Sequence, residues 1–392
     1  MEKQYVFVFV LIILFLFTFG CSKTEKAEKP EWKGKIEIEE GVKVVKNPKE
    51  PLYGDIIFNL EEELSIGRED DDNYLFYRAS DIALDSLDNI YVLEYGNCRI
   101  QKFDKSGNYL QTIGRKGQGP GEFEAPIQVL LNDVTETIYV RDRRKIKIFD
   151  KDGNFIRDFL PTNYPFDVFL DTEGNIYGKF SKTTESGPVI VFDRLNSQGE
   201  KEITYDSFPT GATYVKSGEM TYGVFHDYSF DLHVAKIDDQ TFIYGYSKDY
   251  EINVINKKGD LLFTIQKEEP YLPVTGKEKD SIRGEFENIP ESVKKAIQFP
   301  PHKPFYGSLF CDSKGRIYVY RLRSPLDEEK GIKCDIFSKD GYFLYQTILP
   351  SYWPYEIREG YFYTKITSEE TGSELIKRFR IKNWQEIKEG IS

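Results

Sequence analysis

The stretch Phe103-Asp104-Lys105-Ser106-Gly107 carries the pattern that decides the fold, because the pattern recurs along the chain. An apolar residue is followed by a short polar turn that ends in glycine. Asp, Asn or Ser at the second position can hydrogen-bond the backbone ahead of it, and the glycine three residues later tolerates the positive φ of a tight hairpin. The other copies are Phe149-Asp150-Lys151-Asp152-Gly153, Leu195-Asn196-Ser197-Gln198-Gly199, Ile255-Asn256-Lys257-Lys258-Gly259 and Phe337-Ser338-Lys339-Asp340-Gly341. Each copy predicts a strand, a turn and a second strand.

An alternating run that contains Ile-Tyr lies upstream of each of these turns. The five pairs are Ile90-Tyr91, Ile138-Tyr139, Ile176-Tyr177, Ile243-Tyr244 and Ile317-Tyr318. Most of these runs follow a further turn, such as Asp171-Thr172-Glu173-Gly174-Asn175. The repeating unit therefore contains four short antiparallel strands. Repetition of such a unit, with only turns between the strands, is typical of a β-propeller.

The number of units can be counted from the sequence. Blades are predicted to start near Asp81, Pro126, Pro165, Asp231, Phe305 and Pro354, and the sixth blade contains only three strands. A strand at about residues 55–60, Asp55-Ile56-Ile57-Phe58-Asn59-Leu60, is predicted to complete the sixth blade and so to remove two exposed sheet edges. The prediction is an all-β fold, a six-bladed propeller over residues 52–392 with four antiparallel strands per blade.

Composition and charge agree with a single large ring. A chain of 392 residues, of which 40% are hydrophobic, can bury a sizeable core without dividing into two domains. The formal net charge of -12 argues against general nucleic-acid binding, because phosphate contacts require a positive surface.

The first residues are predicted to target the protein rather than to join the fold. Residues 5–19 are apolar apart from Thr18 and lead into Gly20-Cys21-Ser22-Lys23. This junction resembles the lipobox of bacterial lipoproteins, which implies a signal peptide over residues 1–20 and a diacylglyceryl group on Cys21. The alternative is an uncleaved single-pass anchor, and either form tethers the protein to a membrane. Residues 21–51 are predicted to be a flexible charged linker, and Ser22 favours an outer-membrane or periplasm-facing position in the bacterial cell envelope.

Three cysteines remain once Cys21 is assigned to the lipid. Cys311 and Cys334 fall on the first and third strands of one blade, so an intervening strand keeps them roughly 9–10 Å apart. That separation exceeds the reach of a disulfide. Cys98, Cys311 and Cys334 are therefore all predicted to be buried or half-buried thiols.

The first repeat resembles a known family. The segments that carry the resemblance are Ser80-Asp81-Ile82-Ala83-Leu84-Asp85, Asn89-Ile90-Tyr91-Val92, Asn97-Cys98-Arg99-Ile100-Gln101-Lys102-Phe103-Asp104 and Gly114-Arg115-Lys116-Gly117-Gln118-Gly119-Pro120-Gly121-Glu122-Phe123. They are similar to one NHL repeat of six-bladed, TolB-like propellers. The chain after Pro51 resembles the six-bladed propeller lipoproteins of bacteria. The resemblance implies a fold and a location and little chemistry.

One rim of the predicted ring contains most of the insertions. They are residues 179–187, 205–228, 267–304, 321–331 and 366–373, which fall in second-to-third loops or blade crossovers. Loops that vary on one side of a rigid ring are expected to carry binding, so this rim is the predicted binding face. Aromatic and histidine side chains in or beside the insertions are the predicted contacts to a protein, peptide or glycan ligand. These are Tyr222, Phe225, His226, Tyr228, Phe299, His302, Phe305 and Tyr306. For any one aromatic residue, packing between blades is the alternative.

Two segments of the sequence have a more specific prediction. In the insertion at about residues 267–304, Pro290 followed by residues 291–297 predicts a short helix with an apolar side, which either covers the central channel or protects a blade edge. The glycine-rich loop of residues 114–123 precedes a strand rather than a helix. It is therefore predicted to be a blade crossover and not a phosphate-binding loop.

Catalytic signals are sparse. Three histidines, His226, His233 and His302, could suit zinc only if loops brought them together, and channel carboxylates could suit calcium. Asp85, Asp171 and Asp312 end first strands, but turn formation alone explains them. The sequence therefore predicts no catalytic residue and no cofactor, and favours a lipid-anchored binding or scaffolding module. The alternative is a metal-dependent hydrolase or lyase with its site in the central channel.

Overall fold

The computed structural model describes residues 30–185, 187–327, 331–350 and 354–391. In these residues it forms six sheets of at least four strands, which are the blades, and one separate two-stranded hairpin. The predicted signal peptide and Cys21 lie outside the described residues. No helix within the described ranges has the length and apolar character needed to span a bilayer.

The strands are numbered along the chain. The first three are β1 (Lys35–Glu39), β2 (Val42–Asn47) and β3 (Leu60–Ile66). Blade 1 comprises β4 (Ala79–Leu84), β5 (Ile90–Glu94), β6 (Arg99–Phe103) and β7 (Tyr109–Ile113). Blade 2 comprises β8 (Pro126–Asn132), β9 (Thr137–Asp142), β10 (Lys145–Asp150) and β11 (Phe155–Phe159). Blade 3 comprises β12 (Tyr164–Leu170), β13 (Ile176–Thr184), β14 (Gly187–Leu195) and β15 (Lys201–Pro209).

The second half of the ring contains the inserted elements. The separate hairpin is β16 (Thr213–Ser217) and β17 (Met220–Val224). Blade 4 comprises β18 (Leu232–Lys236), β19 (Thr241–Tyr246), β20 (Glu251–Asn256) and β21 (Leu261–Lys267), and is followed by helices α1 (Gly276–Glu285) and α2 (Glu291–Ala296). Blade 5 comprises β22 (Ser308–Cys311), β23 (Ile317–Tyr320), β24 (Ile332–Phe337) and β25 (Phe343–Leu349). Blade 6 comprises β26 (Pro354–Arg358), β27 (Tyr361–Thr367) and β28 (Glu374–Ile381), followed by a 3-10 turn (Trp384–Glu386).

The recurring turn has the predicted geometry. In the first copy, Oδ1 of Asp104 accepts hydrogen bonds from the backbone N–H groups of Ser106 (2.8 Å) and Asn108 (2.9 Å). Gly107 adopts a φ of 83°, which suits a residue without a side chain. Asp171 makes the same contacts in the turn that follows its first strand. The carboxylates at these positions therefore build turns, as predicted.

An N-terminal strand completes blade 6, which confirms the predicted closure of the ring. The residues that do so are those of β3, which pairs antiparallel with β28 and places Ile66 opposite Ile376. The predicted strand at about 55–60 was therefore placed several residues too early. Residues 52–56 instead hydrogen-bond to β25 of blade 5, through contacts such as the N–H of Ile56 to the carbonyl of Gln346 (2.9 Å).

The N-terminal hairpin corrects a second prediction. Part of the predicted flexible linker of residues 21–51 is ordered as β1 and β2, and β2 pairs in parallel with β21 to extend blade 4 to six strands. The Nδ2 group of Asn47 donates to the carbonyl of Gly341 (2.8 Å), and its Oδ1 accepts from the N–H of Phe343 (2.8 Å). The hairpin is therefore bound to blades 4 and 5.

The core lies between neighbouring blades. For example, Leu93 and Ile100 of blade 1 pack with Val129 and Val140 of blade 2 in one buried cluster. Burial of these apolar faces stabilises the ring. The first strands of adjacent blades also contact each other, β4 with β8, β8 with β12, β12 with β18, β18 with β22 and β26 with β4. The first strands therefore surround the central axis. Cys98, Cys311 and Cys334 are free thiols, as predicted.

The predicted helix after Pro290 is confirmed as α2, which Pro290 precedes as the N-cap residue. Val293 and Ile297 pack against Val224 of the β16–β17 hairpin. The two predicted roles for the helix were to cover the central channel and to cover a blade edge or crossover. The observed contacts favour the second, since the apolar side of the helix meets this hairpin, which lies in the crossover between blades 3 and 4.

Helix α1 was not predicted. Its start is fixed by a capping box, in which Oγ1 of Thr275 accepts from the backbone N–H of Glu278 and the Glu278 carboxylate accepts from the backbone N–H of Thr275. Ile282 of α1 packs with Tyr228 and Val274 in a further buried cluster. The insertions therefore form a small packed layer rather than separate loops.

Candidate functional site

Each first strand places a polar side chain at the same register position beside the central axis. We call these six residues the channel ring: Asp81, Gln128, Asp167, His233, Ser308 and Glu356. The next residue is a buried aliphatic one in every blade: Ile82, Val129, Val168, Val234, Leu309 and Ile357. In each first strand, the polar residue of the channel ring is therefore followed directly by an aliphatic residue of the core.

Hydrogen bonds show why the ring is polar. The first strand of a blade has one edge without a neighbouring strand, so its N–H and C=O groups need other partners. Oδ2 of Asp81 accepts from the N–H of Val129 in the next blade (2.9 Å). Nε2 of Gln128 likewise donates to the carbonyl of Val168 (2.9 Å) and to Oδ1 of Asp167 (3.1 Å). Part of the ring therefore joins consecutive first strands.

Two further ring residues, His233 and Ser308, face a small enclosed space together with Asp167. Asp167, Lys179, His233 and Ser308 border a cavity of about 20 Å³, which is about the size of one water molecule. Asp167 retains accessible surface although protein atoms surround it, as expected for a side chain that lines a narrow channel. Lys179 is paired with Asp231 at 2.7 Å.

Enclosure shifts the titration of the channel ring. Desolvation raises the pKa of Asp81 to about 7 and also raises that of Glu356 to about 7, where Arg358 opposes the shift and Asp88 reinforces it. Desolvation lowers the pKa of His233 to about 4. The carboxyl groups can therefore change charge near neutral pH, whereas the imidazole is neutral there.

A metal site is not formed by these groups. Among the residues that the structure describes, no three His, Cys, Asp or Glu side chains are placed to bind a metal ion together. The three histidines have separate environments. His233 lies in the channel, while His226 and His302 lie in the inserted layer, where Nε2 of His226 contacts the carbonyl of Gln298 (3.0 Å) and His302 packs edge-on against Tyr271.

A cavity lies on the predicted binding rim, and we call it the rim groove. It has a volume of about 550 Å³, within the range of small-ligand sites. Four segments line it: residues 49–51, the crossover from blade 4 to blade 5, residues 321–327, 331 and 333 between the ends of β23 and β24, and Gln346 of β25. The predicted face therefore contains a groove, which exists because the N-terminal segment crosses onto blade 5.

A buried ionic network forms the floor of the rim groove. Oδ2 of Asp335 accepts from Lys267 (3.0 Å), Arg321 (3.1 Å) and the hydroxyl of Tyr250 (2.6 Å). Glu269 binds the same two cations, each at 2.8 Å. Burial opposes ionisation of Glu269, but the hydrogen bonds from Arg321 and Lys267 outweigh it and lower its pKa to about 2. The guanidinium of Arg321 is therefore held in one position at the groove surface.

The wall of the groove is charged as well. Its lining contains six cationic side chains, Lys49, Lys267, Lys303, Arg321, Arg323 and Lys333, and three acidic ones, Glu50, Glu269 and Asp327. Lys303 is paired with Glu278 at 2.6 Å. Leu272 and Phe305 supply the apolar part of the lining.

The structure places the predicted contact residues mainly in packing positions. Tyr228 and Tyr306 have no exposed surface; the first donates to Glu278 (2.8 Å) and the second to the carbonyl of Glu251 (3.0 Å). His226 packs on Phe299 with ring centres 4.6 Å apart. These four contribute to the inserted layer and the adjoining core, which is the alternative that the sequence left open for aromatic residues.

Three other predicted residues divide between the layer and the surface. Phe305 lines the rim groove and contacts His302, with ring centres 5.8 Å apart. Tyr222 is half-buried against α2 and its neighbours. Phe225 is 49% exposed. The structure thus brings His302 and Phe305 together at the groove but does not gather the eight residues on one surface.

Apart from Phe305, the groove residues were not among the predicted contacts. Lys49 was assigned to a linker, and Arg321, Arg323 and Lys333 lie in or beside an insertion that was chosen by length rather than by chemistry. The available signal was the alternation of Arg321, Arg323 and Lys333 around a loop on the predicted face. Each channel-ring residue is polar and lies about four positions before the turn that ends its first strand. This pattern becomes recognisable only when the sequences of the six blades are aligned with one another.

The fold and the groove together define a six-bladed propeller with a ligand-sized site on its insertion-rich rim. A family model described as a 6-bladed beta-propeller, DUF5128, matches residues 66–339, and the chain belongs to this family. The expectation of a six-bladed propeller family is thereby confirmed.

Solved structures and a curated relative are similar to parts of this chain. A Bacteroides fragilis protein that is described as exported is 14% identical, with a TM-score of 0.53 over 86% of this chain and 99% of its own. A Bacteroides vulgatus member of the duf4221 family is 13% identical, with a TM-score of 0.47 over 83% of this chain and 98% of its own. The Drosophila melanogaster protein named brain tumor is 30% identical over 124 residues, which make up 30% of this chain and 12% of that protein. The first of these likenesses shows the fold alone.

Proposed function

We propose that this protein is a lipid-anchored binding or scaffolding module of the bacterial cell envelope, and that its ligand, a protein segment, peptide or glycan, occupies the rim groove. The observation that carries the proposal is the groove itself, a cavity of about 550 Å³ whose floor is fixed by the Asp335 network. A rigid ring with a positioned site is suited to binding. The similar Bacteroides fragilis protein is described as exported, which supports an extracytoplasmic location.

The anchor is the part of the proposal that concerns Cys21. Cleavage before Cys21 and acylation of its sulfur would attach the propeller to the outer membrane or to a periplasm-facing leaflet through the charged residues that follow. The wild-type chain should incorporate labelled palmitate and fractionate with membranes. The Cys21→Ser variant should do neither. Equal labelling of the two chains would contradict the anchor without affecting the groove.

The binding role can be tested by narrowing the groove. Leu272 lines it and is 52% exposed, so Leu272→Trp should occupy space without removing a polar contact. The matched control is Leu87→Trp, a residue 73% exposed in a first-to-second-strand turn on the opposite face. Arrays of envelope oligosaccharides and peptides should retain the wild-type protein and the control but not Leu272→Trp. An unchanged set of bound ligands for Leu272→Trp would overturn the assignment of the site.

A further inference from the structure

We propose that the ligand of the rim groove carries oxyanion groups, carboxylate or phosphate, and that Arg323, Lys333 and Lys49 bind them. This inference rests on the proposed function, because it names the chemistry that the same groove selects. It follows from the ion pairs that each charged group of the groove already makes within the described part of the chain.

Three of the six groove cations have their charge balanced by the protein. Lys267 and Arg321 share Asp335 and Glu269, and Lys303 is bound to Glu278. These cations are held by the fold and keep the floor in place.

The other three cations have no carboxylate within 4.0 Å in the ranges that the structure describes. Within those ranges, the guanidinium of Arg323 makes one hydrogen bond, from Nη2 to the backbone carbonyl of Asp327 (2.7 Å), and its other N–H groups have no protein partner there. Lys49 and Lys333 are exposed at the wall of the groove. They come from segments far apart in sequence, so the fold rather than local composition brings them to one cavity.

The acidic groups of the lining offset only part of these charges. Glu269 is bound to Arg321 and Lys267, and Oδ2 of Asp327 accepts the backbone N–H of Ser324 (3.0 Å). Glu50 is the remaining acidic residue of the lining. A protein with a formal net charge of -12 otherwise repels anions. Among the described residues, the lining has three cations without a carboxylate partner and two carboxylates, Glu50 and Asp327, without a cationic partner, and this local excess of cations departs from the charge of the whole protein.

The two arginines indicate the geometry of the bound group. A guanidinium presents parallel N–H donors that match the two oxygens of a carboxylate or phosphate. Arg321 is positioned by two carboxylates and its side chain remains 18% exposed at the groove. An oxyanion between Arg321 and Arg323 would receive donors from both, while the lysines would contact further oxyanions of an oligomeric ligand.

Calorimetric titration with defined probes tests the inference. The probes are tri-glutamate, tripolyphosphate, neutral tri-glutamine and cationic tri-lysine, at low and raised salt. We expect at least one of the two anionic probes to bind, more weakly as salt rises, and the neutral and cationic probes not to bind. Preference for tri-glutamate over tripolyphosphate identifies a carboxylate ligand, and the reverse preference a phosphate ligand.

Variants locate the binding. Arg323→Ala and Lys333→Ala should each weaken the anionic probe by about tenfold, whereas Arg144→Ala, an exposed arginine in the β9–β10 turn of blade 2, should not. Any of four results would overturn the inference. They are equal binding of tri-glutamate and tri-glutamine, binding of tri-lysine, unchanged affinity in Arg323→Ala and Lys333→Ala, and no binding of either anion at millimolar concentration. The Leu272→Trp array tests the groove independently of charge. If wild type binds neutral ligands that this variant does not bind, the proposed function stands and only the selectivity for oxyanions is overturned.

Discussion

The ammonium group of Lys267 lies 3.0 Å from Oδ2 of Asp335, and both side chains are almost completely buried beneath the rim groove. Lys267 ends β21, the fourth strand of blade 4, whereas Asp335 lies on the third strand of blade 5. The pair therefore joins two blades directly below the proposed ligand. Since a charge without its partner is costly in the interior, the pair fixes the relative position of those blades at the site.

Removal of the Asp335 carboxylate should reveal the free-energy cost of a buried charge that has lost a partner. Asp335→Ala removes one of the two carboxylates that bind the Lys267 ammonium and the Arg321 guanidinium, as well as the acceptor of the buried Tyr250 hydroxyl, and should lower the free energy of unfolding by about 3–5 kcal/mol. Urea denaturation measures the loss. The control is Asp340→Ala in the exposed turn of the same blade, with an expected change within about 0.5 kcal/mol. The double variant Lys267→Met, Asp335→Leu should be more stable than Asp335→Ala. Equal stability of Asp335→Ala and wild type would show that the network is not formed in solution.

Closure of the ring can be tested at two isoleucines. Ile66 of β3 is 2% exposed and packs between blades 1 and 6, whereas Ile57 is 82% exposed. Ile66→Ala should lower the melting temperature and cost about 2–5 kcal/mol. Ile57→Ala should cost less than about 0.5 kcal/mol. A larger loss of stability in Ile57→Ala than in Ile66→Ala would indicate that residues 55–60 form the closing strand.

The N-terminal hairpin should be released by one substitution. Asn47→Ala removes the acceptor for the buried N–H of Phe343 and the donor to the carbonyl of Gly341. Each buried group left without a partner costs roughly 1–3 kcal/mol. Hydrogen exchange should accelerate in β1, β2 and the β24–β25 turn but not in blade 2. Lys35→Ala, at an exposed position of the same hairpin, is the control. Unchanged exchange in Asn47→Ala would mean that strand pairing alone binds the hairpin.

The ring was predictable from sequence because its turns depend on local chemistry. Asp104 and Gly107 fold their turn with contacts inside a few residues, so the same pattern identifies each blade. The closing strand was misplaced because Ile56, Ile57 and Phe58 form the more apolar segment, whereas Leu60–Ile66 alternates between sides. Strand pairing over more than 300 residues decides between them, and such pairing leaves no local signal.

The candidate site was predictable only as a face. Insertion lengths identified the rim that contains the groove, because loops on one side of a ring must lie together. The set of residues that line the groove depends on how segments far apart in the sequence come together, since Lys49 and Arg321 line the same cavity. Aromatic content misled the choice of residues, since Tyr228 and Tyr306 are needed to pack the insertion and the adjoining blades.

The channel ring should make stability depend on pH through Glu356. Its carboxyl lies in the channel, and desolvation raises its pKa from 4.5 to about 7 in the folded protein. Between those values the unfolded chain has released the proton and the folded chain retains it, so the free energy of unfolding falls as pH rises from about 4.5 to about 7 and is constant above. The contribution is at most roughly 3 kcal/mol. Glu356→Gln cannot ionise, so it should approach or match wild type at pH 4.5 and become progressively more stable than wild type up to pH 7.

Melting temperatures of both chains across pH 4.5 to 8 measure the difference. Glu359→Gln, which alters an exposed carboxylate in the adjacent turn, is the matched control and should follow the wild-type curve. The same direction is expected for Asp81, but its two oxygens accept the N–H groups of Ile82 and Val129, and an amide, which has a single acceptor oxygen, could keep only one of these bonds. Glu356 is therefore the cleaner probe. A Glu356→Gln curve parallel to that of wild type would show that water enters the channel freely enough to leave this carboxyl ionised.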